Sequence, residues 1–424
     1  MFKKFAGSFL FILVVYVAAA SRLYAETQAD TIRLTIKEAE DTFLKNNLEL
    51  IAQRYNIDNA SAAIITAKVF PNPDFSFANG IHATGVPDAF SEQSLSISQL
   101  FTTAGKRNKG IQLAKIGVDQ AKYQFFDLLR TLKFTLRSDF FTVYYNRQSA
   151  KVYDEEINSL SKTLTVFKAQ YAKGNIAEKE LLRIQSQLYS LQAEYDGLQV
   201  SIDTNESELK MMLRIPAQTA VDPLVTDEFT GKAIVAGVTY QQLLDSANVN
   251  RYDLKYSKAT VDYNKMNLQL QKATAVPDIS LSLNYDKLGS YGQDFISAGV
   301  GFSLPFFNRN QGAIKQARIA IDQSNVQLQS QQEQVESDVA TNYKMALRLE
   351  NLYNSFDPKF KDDFTHLIQE VYKNYQERNI GMLDFLDFYD AFKTNTLQLN
   401  TLQLNRVISL EQLNYVTGTP FFNQ

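Results

Sequence analysis

The sequence is written twice. Thr35, Asn46, Leu50 and the pair Pro73-Asp74 recur as Thr239, Asn250, Leu254 and Pro277-Asp278, each displaced by 204 positions. The same displacement relates Tyr171 to Tyr375, Asn175-Ile176 to Asn379-Ile380, Leu209 to Leu413 and Pro216 to Pro420. One offset shared over so long a span marks a duplicated unit, residues 34–216 and 238–420, joined by a connector at 217–237 that holds Pro, Gly and Asp. With their flanks the divisions are 1–25, 26–216, 217–237 and 238–424. Whatever the first copy folds into, the second repeats with its own substitutions.

Each copy has the same plan. A short helix precedes a longer one (Leu48 to Val69 in the first copy), then come two strands, a very long helix, a tight turn and a second long helix. No proline occurs between Asp88 and Ile215, so nothing there forces a helix to break. A helix from Ile111 to Ala172 would span roughly 90 Å at ~1.5 Å per residue, too long for an ordinary globular domain. The return helix carries Ile184, Leu188, Leu191, Tyr195, Leu198, Ile202 and Leu209, the four-and-three spacing of a coiled-coil seam. The hairpins are expected at about 109–213 and 312–417. Tyr171-Ala172-Lys173-Gly174-Asn175 supplies the first turn, since Gly and Asn tolerate the left-handed backbone of a reversal. Tyr375-Gln376-Glu377-Arg378-Asn379 supplies the second, with Arg378 in the place of Gly174. Pro358 is expected to kink or break the long helix of the second copy.

The strands are expected at about 73–82, 93–101, 277–286 and 295–304. Ile279, Leu281, Leu283 and Tyr285 alternate with Ser280, Ser282, Asn284 and Asp286, and Ile296, Ala298, Val300, Phe302 and Leu304 alternate with Ser and Gly. The first copy is looser, with Phe75, Phe77 and Ile81, then Leu95, Ile97 and Phe101. These lengths approach the ~9–11 residues with which a tilted strand crosses a bilayer. A half-buried soluble sheet shows the same alternation, so the strands alone leave both readings open. Two further features favour the membrane. The start of the chain, Lys3-Lys4, an apolar run from Phe9 to Val17 and small residues up to Ala25, reads as a secretory signal over 1–25, with a retained anchor as the alternative. The helices flanking the strands are also too long and polar to cap a small sheet. Four strands cannot close a barrel, and an open edge is not tolerated in lipid, so several chains must contribute. Three chains would give 12 strands and two would give eight; the sequence alone does not choose.

Nothing reads as an active site. Net charge is −3, which argues against a broad nucleic-acid face, and cysteine is absent, which excludes disulfides and thiolate chemistry. The two histidines, His82 and His366, have no metal-ligand spacing, and no phosphate loop or nucleophile elbow occurs. No catalytic residue, metal site or cofactor is expected. Gly105-Lys106-Arg107 follows the second strand and should start a helix near the membrane interface, where it could touch a phosphate or lipid headgroup. Asp384, Asp387 and Asp390 are spaced by three, beside Phe385, Phe388 and Phe392. One reading is simple solvation at the positive end of a helix dipole; the other is a functional acidic element.

In order, duplication and spacing, the chain resembles the TolC-type outer-membrane efflux proteins, with weaker likeness to their heavy-metal-efflux branch. The resemblance covers nearly all of the mature chain and rests on PNPDFSF and VPDISL, SISQLFTTAGKR and FSLPFFNRNQG, YAKGNIAEKELL and YQERNIGMLDFLDFYDA, and the closing LEQLNYVTGTP. It implies a mainly α-helical fold with transmembrane β-strands: a homotrimer with a 12-stranded barrel in outer-membrane lipid, continued by an α-helical tunnel in the periplasm. Ile279, Leu281, Leu283, Tyr285, Val300 and Phe302 would face lipid. The turns, at Tyr171, Gly174, Asn175, Tyr375, Arg378 and Asn379, would meet a periplasmic adaptor (a membrane fusion protein) or an inner-membrane pump of the resistance-nodulation-division type. LDFLDF matches the acidic element that narrows the periplasmic entrance, which maps onto Asp384 and Asp387 as channel-aperture rings; the first copy has Glu180 and Arg183 there. Such a protein conducts metal cations or drugs passively and is not an enzyme. A periplasmic coiled-coil adaptor or a coiled-coil surface protein are the alternatives, but neither calls for two hairpins that each follow a strand pair.

Overall fold

A computed structural model describes residues 31–81, 92–225, 235–289, 292–357, 359–377 and 379–422. The signal segment 1–25, His82, Pro358 and Arg378 lie outside the described residues. In chain order the elements are β1 (Thr31–Thr35), α1 (Ile36–Asn46), α2 (Leu48–Lys68), β2 (Asp74–Asn79), β3 (Gln93–Phe101), α3 (Lys106–Ala172), α4 (Glu178–Leu213) and β4 (Ala220–Leu224). There follow α5 (Tyr240–Asn250), α6 (Tyr252–Thr274), β5 (Ile279–Gly289), β6 (Gly292–Phe302), α7 (Gln311–Asn354), α8 (Phe360–Gln376) and α9 (Met382–Thr417). From the first short helix onward the order repeats, except that one long helix, α3, is answered by two, α7 and α8. The 67 residues of α3 make about 100 Å of helix at ~1.5 Å per residue.

The duplication extends to the caps. Thr35 and Thr239 each close a capping box, with Glu38 and Gln242 reaching back to the cap N–H. Both pairs obey the 204-residue offset.

The chain divides into two compact units. One comprises residues 1–47, 136–230 and 358–404; the other comprises 48–135, 231–357 and 405–424. In the first, the seam of α4 packs as its spacing demands: Ile184, Leu188, Leu191, Ile202 and Leu209 are buried. Ile184, Leu188 and Leu191 join Leu160 and Leu164 of α3, Ile368 and Val371 of α8, and Phe385 and Tyr389 of α9 in one core. A fully buried side chain of this kind contributes about 1.5–3 kcal/mol, so this cluster is what holds the ends of the two hairpins together.

The same unit contains a parallel pair not expected from the sequence, β1 against β4, the latter inside what reads as a connector. Glu206 anchors it. Its carboxylate accepts the Val221 N–H at 2.9 Å and meets Arg147 and Lys210, each at 2.8 Å. Burial acts to raise the Glu206 pKa, but the Lys210 and Val221 hydrogen bonds and the Arg147 charge outweigh it and hold the carboxyl below its ordinary value.

In the second unit, α5, α7 and α9 share a core of Leu243, Ala247, Val335, Val339, Leu410 and Leu413. The remaining strands form one antiparallel sheet in the order β2-β3-β5-β6. The connection expected over Lys287–Asp294 is largely strand instead, since Leu288 pairs with Gln293 and Gly289 with Gly292. The ladder overrides the loop preference of these Gly and Asp residues.

Candidate functional site

The sheet sorts its side chains by face. Residues paired across an antiparallel ladder share a face, so the register defines complete rows. Phe77, Leu95, Tyr285 and Ile296 make one row, and Phe75, Ile97, Leu283 and Ala298 the next. Gln99, Leu281 and Val300, then Phe101, Ile279 and Phe302, continue the same side. Ser76, Ser96, Asn284 and Ser297 make a row on the other side, followed by Asp74, Ser98, Ser282 and Gly299. The first face is therefore apolar across all four strands apart from Gln99 and the end pair Asn79–Gln93, and the second is mainly polar, with Ala78, Leu100 and Phe295 in its outer rows.

No part of the chain covers that apolar face among the described residues. Phe75 is 69%, Val300 67% and Leu283 57% exposed, far from the values of a soluble half-buried sheet. On the polar face Gly299 and Gly301 leave room for their neighbours: a Cβ on either would come within 2.7 Å of the Ser282 or Ser280 hydroxyl. Two strand edges, on β2 and β6, have no partner among the described residues. The 11 residues of β5 reach roughly 37 Å, or about 25 Å when tilted by ~45°, the height of an apolar band in lipid.

The base of the sheet is fastened by a contact the sequence reading missed. Lys106 Nζ donates to Asp278 Oδ1 and to the Val276 carbonyl, both at 2.7 Å, and the Thr103 N–H donates to Asp278 at 2.8 Å. Asp278 belongs to the repeated Pro-Asp pair, so the offset that revealed the duplication also marked this clasp.

In the other unit the two hairpin turns close alike. The Asn175 N–H donates to the Gln170 carbonyl at 3.0 Å and the Gly174 N–H to Tyr171 at 2.9 Å, with Gly174 at φ +73°. This is a Schellman closure. Gln170 and Asn374 are themselves related by the offset, and the Asn379 N–H donates to the Asn374 carbonyl at 2.8 Å. The side-chain amides repeat the bond, Asn175 to Gln170 at 2.6 Å and Asn379 to Asn374 at 3.2 Å. Tyr171 is 41% exposed, whereas Tyr375 stacks on Phe385 at 4.3 Å. Burial, with the charge of Glu180 nearby, pushes the Tyr375 hydroxyl up to about 12. Tyr375 is thus a packing residue more than a docking one.

The three aspartates do not behave alike. Asp384 sits in the first turn of α9, its carboxylate beside Gly381 and the free N–H groups of the helix end. Asp387 is exposed one turn on. Neither has an ion-pair partner among the described residues, whereas Asp390 meets Lys393 at 3.2 Å. Lys393 is 9% exposed and also meets Glu194 of α4 at 3.2 Å, tying the two hairpins together. Behind it Glu156 is 3% exposed, with Oε1 unpartnered. Burial pushes the Glu156 carboxyl up to about 8, with Lys393 opposing and Asp390, Glu194 and Glu155 assisting. His366 is exposed on α8, and no cluster of metal-ligating side chains occurs among the described residues.

Residues 243–419 match the family model described as "Outer membrane efflux protein". The cobalt-zinc-cadmium resistance protein CzcC of Cupriavidus metallidurans is 21% identical over 301 residues, covering 68% of each chain. Among solved structures, the Campylobacter jejuni CmeC outer membrane channel superposes with a TM-score of 0.73 at 14% identity, over 91% of this chain and 86% of that one. The outer membrane protein VceC of Vibrio cholerae gives a TM-score of 0.72 at 16% identity, over 91% of this chain and 96% of that one. The fold is therefore that of the outer-membrane efflux channels.

Proposed function

We propose that this chain, recognised as a TolC-type outer-membrane efflux protein, is the exit channel of a tripartite efflux system. The family's proteins are channels rather than enzymes, and nothing in the two candidate regions calls for a reaction. The observation that carries the reading is the uncovered, largely apolar face of the four-stranded sheet, backed by a mainly polar face. Such a sheet needs lipid on one side, water on the other and partners for both edges. Three copies supply 12 strands, a barrel wide enough for an aqueous lumen. The barrel stands in the outer membrane, and the hairpins reach through the periplasm toward an adaptor and a resistance-nodulation-division pump.

Asp384 and Asp387, uncompensated and exposed, then form carboxylate rings that narrow the periplasmic entrance and attract cations. The name of the 21% identical CzcC, together with these rings, favours divalent transition-metal cations as the substrate class. Asn175 and Asn379 sit in matching closed turns that present rigid tips to the partner.

One experiment addresses the whole reading. The protein carrying a cysteine at Asn175 or Asn379 is expressed with its neighbouring pump and adaptor, and membranes are fractionated after crosslinking. The expected result is a heat-modifiable trimer in the outer membrane, with adducts from the turns to a partner. A monomer in the periplasmic fraction would overturn the channel; an outer-membrane trimer without adducts at either turn would overturn the docking assignment alone.

A further inference from the structure

A cleft of about 270 Å³ opens where β2 and β3 meet their helices. Its walls are Ala67, Val69, Phe70, Pro71 and Gly110, and Lys106 and Arg107 stand among its lining residues. Val69 and Phe70 are 61% and 60% exposed, although nothing in the fold requires them at the surface. Continuing the β2–β3 register places Pro71 opposite Phe101, on the apolar face of the sheet. The cleft is thus the lower continuation of the face assigned to lipid.

Its cations are arranged for an anion. The Arg107 guanidinium lies 4.1 Å from the Phe70 ring centroid and spends one Nη1 donor on the Lys68 carbonyl at 3.2 Å. A guanidinium held flat on an aromatic ring keeps its other edge available for phosphate oxygens and loses little freedom in binding them. Lys68 and Lys109 lie alongside in sequence, while Asp278, the carboxylate joined to this group, is already engaged by Lys106.

The residues of this cleft are not repeated in the second copy. At the 204-residue offset, Phe70 becomes Thr274, Lys106 becomes Asn310 and Arg107 becomes Gln311. Asn310 turns inward to bond the Gln271 carbonyl and side chain at 2.8 and 2.9 Å. The combination of Phe70, Lys106 and Arg107 is thus not repeated at that offset, although the second repeat carries Phe306, Phe307 and Arg309 in its own strand-to-helix passage.

We propose that this cleft binds one anionic phospholipid per chain, its phosphate on Arg107 with Lys68 and Lys109 nearby, and an acyl chain along Val69, Phe70 and Phe101. The inference rests on the outer-membrane reading, because only there does the apolar face meet acyl chains. An acyl chain continues the apolar face and the cations match the headgroup, whereas free phosphate would leave Val69 and Phe70 in water.

The test uses the purified full-length protein reconstituted in phosphatidylcholine vesicles doped with phosphatidylglycerol of the same acyl composition. Co-purifying lipid is counted by native mass spectrometry after extraction. Wild-type protein should retain phosphatidylglycerol preferentially, and Arg107→Gln should lower that preference about fivefold, the equivalent of ~1 kcal/mol for one cation at an anionic surface. Arg309→Gln, in the second repeat, should leave it unchanged. Equal retention of both lipids by wild-type protein would overturn the proposal without needing any variant. Displacement of phosphatidylglycerol by inorganic phosphate would overturn it in favour of a simple anion site. Failure of wild-type protein to enter vesicles at all would instead sink the outer-membrane reading beneath it.

Discussion

The two repeats share their caps and turns and differ in the continuity of one helix and in where they place charge. Both turns close on an amide bonded across five positions, Gln170 to Asn175 and Asn374 to Asn379, and both short helices begin with the same capping box. Yet the first repeat runs its outgoing helix unbroken over 67 residues, while in the second α7 ends at Asn354 and α8 begins at Phe360. At the start of the return helix the first has Glu180 and Arg183, opposite charges that offset one another, and the second has Asp384 and Asp387, which add. The chain after the return helix is also tied differently. Lys210 in the first repeat grips Glu206, whereas its counterpart Asn414 accepts the Phe421 and Phe422 N–H groups at 2.7 and 2.9 Å. The caps and turns were kept through duplication, whereas the outgoing helix and the charge pattern were not.

The largest effect should come from breaking what the two repeats still share, the sheet. Leu281→Arg places a charge on the apolar face and should cost ~2–4 kcal/mol per chain near the bilayer midplane. Asn284→Arg, three residues on and facing the opposite side between Ser96 and Ser297, should be tolerated. Heat-modifiable oligomer in outer-membrane fractions reads both; equal loss in the two variants would refute the assignment of faces.

Next comes the charge-tied strand pair of the first repeat. Glu206→Ala leaves Arg147 and Lys210 without their shared carboxylate and the Val221 N–H without an acceptor, and should cost ~2–3 kcal/mol. The sign of its pH dependence follows from a lowered folded-state pKa. The stabilisation is present above the ordinary carboxylate range and is lost as pH falls through the folded value. The protection of the Val221 N–H relative to its intrinsic exchange rate should therefore fall in acid for wild-type protein and be low at every pH in the variant. The matching change in the second repeat, Asn414→Ala, should loosen Phe421 and Phe422 without any such pH dependence.

Glu156 behaves in the opposite sense. Its pKa is raised from 4.5 to about 8, so its folded state prefers the protonated form, and stability falls as pH rises from about 4.5 to about 8. Glu156→Gln should flatten that slope and protect the hairpin ends at alkaline pH. Thermal unfolding followed across pH checks it, and an unchanged slope would show that the carboxyl is charged throughout.

How much of this was legible depends on the range over which each feature is encoded. The α4 seam could be read because its burial repeats every three and four residues within one helix, and Ile184, Leu188 and Leu191 were found buried as the spacing demanded. The rows of the sheet could be read from alternation, but that nothing covers them could not. The β1–β4 pair was hidden because its strands lie about 190 positions apart and Pro223 within β4 argues against a strand. The Lys393–Glu194 contact spans 199 positions and no local rule could show it. Asp390 is a different case. Lys393 stands three residues beyond it, and the helix-neighbour rule alone should have separated this aspartate from the other two.

That separation sharpens the smallest prediction. Asp390 is paired with Lys393, so the proposed aperture rests on Asp384 and Asp387 alone. Replacing both with Asn should weaken block by a multivalent cation about fivefold, the equivalent of ~1 kcal/mol for a charge pair at ~4 Å in water. Open-channel conductance in monovalent salt should change little, because at about 0.15 M salt exposed charges are screened beyond ~8 Å. Glu180→Gln with Arg183→Gln, the corresponding pair in the first repeat, should leave block unaltered, since opposite charges there already cancel. Planar-bilayer recordings with both double variants decide between the two roles of the aspartates. If they served only to complement the dipole of α9, their loss would lower the stability of that helix end and leave cation block where it was. A shift in block with an unchanged melting profile is the result that only an aperture can give.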